Sequence, residues 1–227
     1  MKSFLSVDFD YFVNVPDSIG CDFPNPAMYG FNPDSEDIRS DWERTYRLHP
    51  EFADWGVSKM SKGFGTIKSF FEEYTGNVVV RKEHTDMYNV VMDNTQPDEK
   101  FNVFNVDFHH DLYSTPVRLN CSNWATHVFD KRPQMEYYWV HRGFSDKSTL
   151  GMPNVFKHNQ VHSLSIGTAL YYFYMGELPH TIFLCFSELW TPPHLYPKFE
   201  VLSKALTSPL TRLVEVVTPM TSVDVKL

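Results

Sequence analysis

The stretch "FNVFNVDFHHDLY", residues 101–113, decides how this chain is read. An apolar run with the Phe and Val content of a buried strand ends in Asp107, and His109 and Asp111 follow at alternate positions. Successive strand side chains point to opposite faces. Continued extension therefore puts Asp107, His109 and Asp111 on one side and turns His110 away, as a structural or supporting residue. Parallel sheets bind ligands beyond the carboxyl ends of their strands. The stretch predicts a parallel strand that ends in three convergent donors.

Two other strand ends repeat the arrangement. "SFLSVDFDYF" places Asp8 and Asp10 after its own apolar run, and "NVVVRKEH" places His84 just beyond a third. Taken singly, an Asp-x-Asp often only caps a loop, and a lone His is more often structural than a ligand. The Asp-x-His-x-Asp pattern is rarer, and all three pieces fall on the same predicted edge. The set is then Asp8, Asp10, His84, Asp107, His109 and Asp111. Four carboxylates in one pocket repel one another and raise each other's pKa values unless cations relieve them. Oxygen and nitrogen donors suit Mn2+ or Fe2+ and leave Zn2+ open.

The surrounding chain is compatible with such a site. Its 227 residues suffice for one substantial domain over residues 1–227, and with 42% hydrophobic against 21% charged residues a packed core is expected. Candidate strands at 3–7, 77–81, 101–106, 135–140 and 181–186 alternate with helical segments at 35–48, 61–76, 121–130 and 165–176. That alternation predicts an α/β protein, three-layer α/β/α around a mainly parallel sheet. Gly76 is expected to cap the second helix at its C-terminus. The Pro- and Gly-rich residues 17–37 predict a long surface loop, and the last twenty residues a strand plus a tail. No internal repeat or interdomain linker is present.

Charge and apolar content limit the partners. A net charge of −8 without clustered Lys or Arg argues against nucleic acid and admits a cationic small molecule. No apolar run approaches the ~20 residues that span a bilayer, so no membrane association and a cytoplasmic setting are expected. Three widely spaced cysteines, Cys21, Cys121 and Cys185, with no Cys-x-x-Cys pair, argue against a thiolate zinc site. A haloacid-dehalogenase reading of "VDFDYF" would make Asp8 a phosphoryl acceptor. It expects a small hydroxyl residue after the second Asp, where Tyr11 and Phe12 stand, and it leaves residues 107–111 unused.

With these residues in hand, the chain resembles the arginase, agmatinase and histone deacetylase superfamily, the ureohydrolase-like proteins. It is most similar to an arginase-like family in which the Asp-x-Asp strand comes first, so the strand order is permuted. "SVDFDYF", "RKEHTD" and "VDFHHDL" carry the resemblance, with weaker matches in "NCSNWATH" and "FLCFSELWTPPH", over residues 4 to about 195. The resemblance implies two Mn2+ ions bridged by Asp8 and Asp107, with His84 and Asp111 completing one shell and His109 and Asp10 the other. Ions about 3.5–4 Å apart share a water and lower its pKa, which implies hydrolysis of a non-peptide C–N bond, guanidino or amide. The candidate catalytic residues are Asp10, His127 as a proton shuttle and Glu188 as a contact for a cationic group. His127 equally fits the buried face of a helix, Glu188 a strand-end cap, and Asn123 and Trp124 either line the pocket or pack a helix start. Lys82 and Glu83 depart from the Gly-Asp that ureohydrolases usually carry before the metal-binding His. Two alternatives remain: a mononuclear deacetylase-like hydrolase using Asp107, His109 and one of Asp8 or Asp10, and a non-catalytic binding module that keeps the metal site.

Overall fold

The structure, a computed structural model, describes residues 1–14, 37–54, 56–57, 62–113, 118–142, 159–208 and 214–216. The strands are β1 (Lys2–Asp8), β2 (Val13–Asn14), β3 (Gly56–Val57), β4 (Asn77–Arg81), β5 (Phe101–Val106), β6 (Met135–Val140), β7 (Val161–Leu164), β8 (Thr181–Cys185) and β9 (Val214–Val216). The helices are α1 (Ile38–Leu48), α2 (Lys62–Glu73), α3 (Met87–Asn94), α4 (Trp124–Lys131), α5 (Ile166–Met175) and α6 (Tyr196–Thr207). Seven strands form one sheet in the order β7-β6-β5-β1-β8-β4-β9, every pair parallel, while β2 and β3 make a small antiparallel pair.

Parallel strands covered on both faces need apolar side chains pointing both ways. β5 and β8 are buried at every position, and β1 at all but Lys2. On one face Leu5, Val7, Phe104, Val106, Ile182 and Leu184 pack with α2, α5 and α6 through Ile67, Phe70, Phe173, Phe199 and Leu202. On the other, Phe4, Phe101, Val103 and Phe183 pack with α3 and α4 through Met87, Val91, Trp124 and Val128. The result is the expected three-layer α/β/α arrangement.

Helix starts follow local chemistry. Asp37 accepts the Ser40 N–H at the start of α1, and Ser165 accepts the Thr168 N–H at the start of α5. The Gly76 expectation fails, because α2 ends at Glu73, three residues earlier. Gly76 serves the Tyr74 ring: a Cβ there would collide with the Tyr74 hydroxyl, which donates to the carbonyls of Asn77 (3.2 Å) and Pro179 (2.9 Å). β7, α3 and α6 were not expected. β7 is an edge strand only partly buried, and α3 is two turns long with two buried residues, so their patterns are short. Of residues 17–37 only Asp37 is described, and of the C-terminal strand and tail only β9 and Ser208.

The topology places the site. β5 leads through α4 to β6 on one side of β1, and β8 leads through α6 to β9 on the other, with the two helices on opposite faces. Strands that wind outward in opposite directions leave a crevice beyond their carboxyl ends. Asp8 and Asp107 stand at its floor, because Val7 pairs with Val106.

Candidate metal centre

The donors converge, but through turns and not through continued extension. β5 stops at Val106, and the Asp107 carboxylate accepts the backbone N–H of His109 through Oδ1 at 2.7 Å. Asp111 is reached through a left-handed backbone, φ 52°. β1 behaves alike: Asp8 Oδ1 accepts the Asp10 N–H at 3.3 Å, at the start of a 3-10 turn over Phe9–Phe12. His84 begins another 3-10 turn three residues past β4.

His84 is the hub of the first donor group. Its Nδ1 lies 3.1 Å from Asp8 Oδ2, 3.2 Å from Asp107 Oδ2 and 3.1 Å from Asp111 Oδ2, with all four residues buried. One ring nitrogen carries at most one proton, so it cannot bond three carboxylates together. Neighbouring donors around an octahedral ion with bonds of about 2.1 Å lie about 3.0 Å apart, which matches these separations.

The second group is Asp10, Asp107 and His109. His109 Nδ1 is 3.2 Å from Asp10 Oδ2 and 3.7 Å from Asp107 Oδ1. Asp107 thus presents one oxygen to each group. Asp10 is fully buried, and its Oδ1 has no hydrogen-bond partner among the described residues. An ionised carboxylate left so is costly, and a cation at this position would satisfy it. The donor set therefore fits divalent ions in two adjoining positions.

Electrostatics point the same way. Burial, reinforced by Asp8 and Asp107, pushes the Asp10 carboxyl well above its usual range. Burial and the Asp107 charge push Asp111 up to about 7. Burial also acts on Asp107, but His109 and His84 overcome it and hold that carboxyl well below normal. Both histidines are raised well above 6.5 against the opposing effect of burial, His84 by Cys185, Asp111, Asp8 and Asp107 and His109 by Asp10 and Asp107.

A ring of hydrogen bonds orients the donors. Ser187 Oγ donates to Asp8 Oδ2 at 2.5 Å, Trp124 Nε1 to Asp111 Oδ2 at 2.6 Å, and Asn105 Nδ2 to Asp107 Oδ2 and Asp111 Oδ2 at 3.2 and 3.3 Å. Ser6 Oγ lies 2.7 Å from His84 Nε2, fixing the ring whose other nitrogen faces the carboxylates. Ser6, Asn105 and Ser187 had not been assigned a role from sequence. Ser6 and Asn105 each carry a signal, a polar residue inside an apolar run, two positions before the strand-end Asp and so on its face. Trp124 packs at a helix start as expected and also bonds a donor, while Asn123 bonds Asn120 and the Arg118 carbonyl. His110 is structural: its Nδ1 accepts the Leu112 N–H and its ring stacks on Tyr113.

No family model, curated protein or solved structure matches this chain. The geometry therefore carries the site. It brings Asp8, Asp10, His84, Asp107, His109 and Asp111 together. It does not bring His127, which lies half-buried on α4 with its ring against Tyr88 and has no contact with the cluster among the described residues. Glu188 lies beside the cluster, its Oε1 3.2 Å from Lys82 Nζ, so the Lys82 that departs from the resembled pattern neutralises it. Glu83 is raised to about 7 by burial, Glu188 and Asp8. Cys185, which was assigned no role from the sequence, lies with Asp8 and His84, their donor atoms within 4.8 Å of one another. Burial keeps its thiol protonated. Among the described residues no helix is long and apolar enough to cross a membrane.

Proposed function

We propose that the chain is a metal-dependent hydrolase of arginase-like type, with two divalent ions, Mn2+ by the donor chemistry, acting on a non-peptide C–N bond of a small, cationic guanidino or amide substrate. The observation that carries this reading is His84 Nδ1 standing 3.1–3.2 Å from three carboxylate oxygens, with Asp107 turning its other oxygen to His109. Charge supports the number of ions: four buried carboxylates carry four negative charges when ionised, and two divalent cations balance them. His84, Asp8, Asp107 and Asp111 would hold one ion, and Asp10, His109 and Asp107 the other. Bound ions would supply Lewis-acid charge and a water made acidic enough to ionise near neutrality.

The chain's own residues supply the rest. His109 is the most exposed donor, its side chain 15% accessible against 0–4% for Asp8, Asp10, His84, Asp107 and Asp111, so a substrate approaches from its side. Trp190 packs 4.7 Å from the His109 ring and offers an apolar wall there. Glu188, 3.2 Å from Lys82 Nζ, would suit a cationic group that displaces Lys82 from it. One observation favours a second reading, a binding module that keeps the centre without catalysis: Trp190 lies over the one exposed donor.

Elemental analysis of protein loaded with Mn2+ and desalted tests the proposal. Close to two ions per chain are expected, and protein that retains none sinks both readings. Hydrolysis in a screen of guanidino compounds and acylated amines separates enzyme from module.

A further inference from the structure

The two donor groups are braced differently. Ser6, Ser187 and Trp124 steady the donors around His84. The turns that bring Asp10 and His109 together share another support. Arg142, two residues past the end of β6, donates through Nη1 to the carbonyls of Tyr11 (2.9 Å), inside the Asp10 turn, and Val13 (2.5 Å), the residue that closes it. The same guanidinium lies over the Phe108 ring, 5.5 Å from its centre, and Phe108 is the residue between Asp107 and His109.

We propose that Arg142 is a positioning residue for the second ion position, tying the Asp10 turn of β1 to the Asp107–His109 turn of β5. The inference rests on the metal reading above. A guanidinium suits the task because Nη1 alone reaches both carbonyls with its two N–H groups while the planar face rests on an aromatic ring, and an ammonium, which has no such face, does not do both. Burial opposes its charge and the nearby Asp10 carboxylate favours it, so the Asp10 neighbourhood also helps keep the cation in place. The first position has its own supports, so loss of Arg142 acts on one ion and spares the other.

Mn2+ titration of Arg142→Met and Arg142→Lys, followed by electron paramagnetic resonance, tests this. Wild type is expected to bind two ions as a spin-coupled pair. Arg142→Met keeps one and binds the second about 10- to 100-fold more weakly, the usual effect of removing an outer support, with the signal of isolated ions in place of the pair. Arg142→Lys, able to reach a carbonyl, falls between. Adding His84→Ala to Arg142→Met removes the remaining ion, and adding His109→Ala leaves it. Circular dichroism of metal-free protein checks the fold, and if the Met variant is unfolded the Lys variant is judged by the same criterion. Two ions held at wild-type affinity, or equal weakening of both, overturns the role of Arg142 and leaves the metal reading standing. A wild type that binds no ion overturns both.

Discussion

Asp8 and Asp107 make the same turn on neighbouring strands. Each sits one residue past a Val7–Val106 pairing, and each carboxylate accepts the backbone N–H two residues on, from Asp10 and His109 respectively. The turn does two jobs: it ends the strand, and it swings the following donor over the strand-end carboxylate.

An Asn side chain keeps the accepting oxygen and loses the charge. Asp107→Asn is therefore expected to fold normally and to lose both ions, with affinity down by more than about 100-fold, beyond the effect of a supporting hydrogen bond. Asp10→Asn should cost only one ion. Elemental analysis beside circular dichroism reads both, and a metal-replete Asp107→Asn protein contradicts the shared role of this carboxylate.

Ser187 has φ 52°, a left-handed backbone that costs a residue with a Cβ about 1–2 kcal/mol and glycine nothing. Ser187→Gly should thus be more stable than Ser187→Ala by about that amount in urea denaturation. Both remove the hydroxyl bonded to Asp8 and should weaken Mn2+ equally, about 10- to 100-fold. Unequal metal affinities would mean that Ser187 acts through the backbone.

Trp124→Phe keeps an aromatic ring against His84 and Tyr137 and removes the N–H given to Asp111. A hydrogen bond to a charged group contributes about 1.5–3 kcal/mol, most of it here appearing as weaker Mn2+ binding measured by titration calorimetry. Unchanged affinity would reduce Trp124 to packing.

Without metal, Asp10, Asp111, His84 and His109 all hold protons more tightly folded than unfolded. Their stabilisation is complete below the unfolded pKa values and is lost as pH rises through the folded ones, for Asp111 between about 4 and 7. Asp107 is lowered, and its contribution fades only in acid. The Tm of metal-free protein should fall from pH 5 to pH 8 (roughly the span of these titrations). Saturating Mn2+ should reverse the slope, because binding releases protons. Parallel slopes with and without Mn2+ would contradict this.

Gly76→Ala provides a control away from the centre. Its Cβ meets the Tyr74 hydroxyl, so a loss of about 1–3 kcal/mol by overpacking is expected with metal content unchanged.

The central strands were readable because burial on both faces demands mainly apolar runs, and β1, β5 and β8 supply them, interrupted by Ser3 and Ser6 in β1 and by Asn102 and Asn105 in β5. The donors were readable because three strand ends carry Asp and His on one predicted edge, whereas a single Asp-x-Asp more often caps a loop. Their geometry was not: alternation grouped Asp107, His109 and Asp111 correctly, yet the chain achieves this by an aspartate-capped turn and a left-handed Asp111, which pattern alone does not encode. α6 had a usable signal in Phe199, Leu202 and Leu206, whereas α3 and β7 were too short to show a period. His127 was ambiguous because a helix presents the same residue to a cleft or to a neighbouring helix, and here Tyr88 receives it.

The insertion of β8 between β1 and β4 sets an order of events in time. β1 and β4 leave the ribosome first and β1 can pair with β5, yet the gap between β1 and β4 is filled only by a strand that begins at residue 181. Ser187 then reaches Asp8 across 179 positions of chain. Closing so long a loop is slow, and until it happens one edge of β1 stays open to mispairing. The cluster at the strand ends is consequently completed late in folding, and under the metal reading proposed above an ion would act as a latch on a sheet already closed.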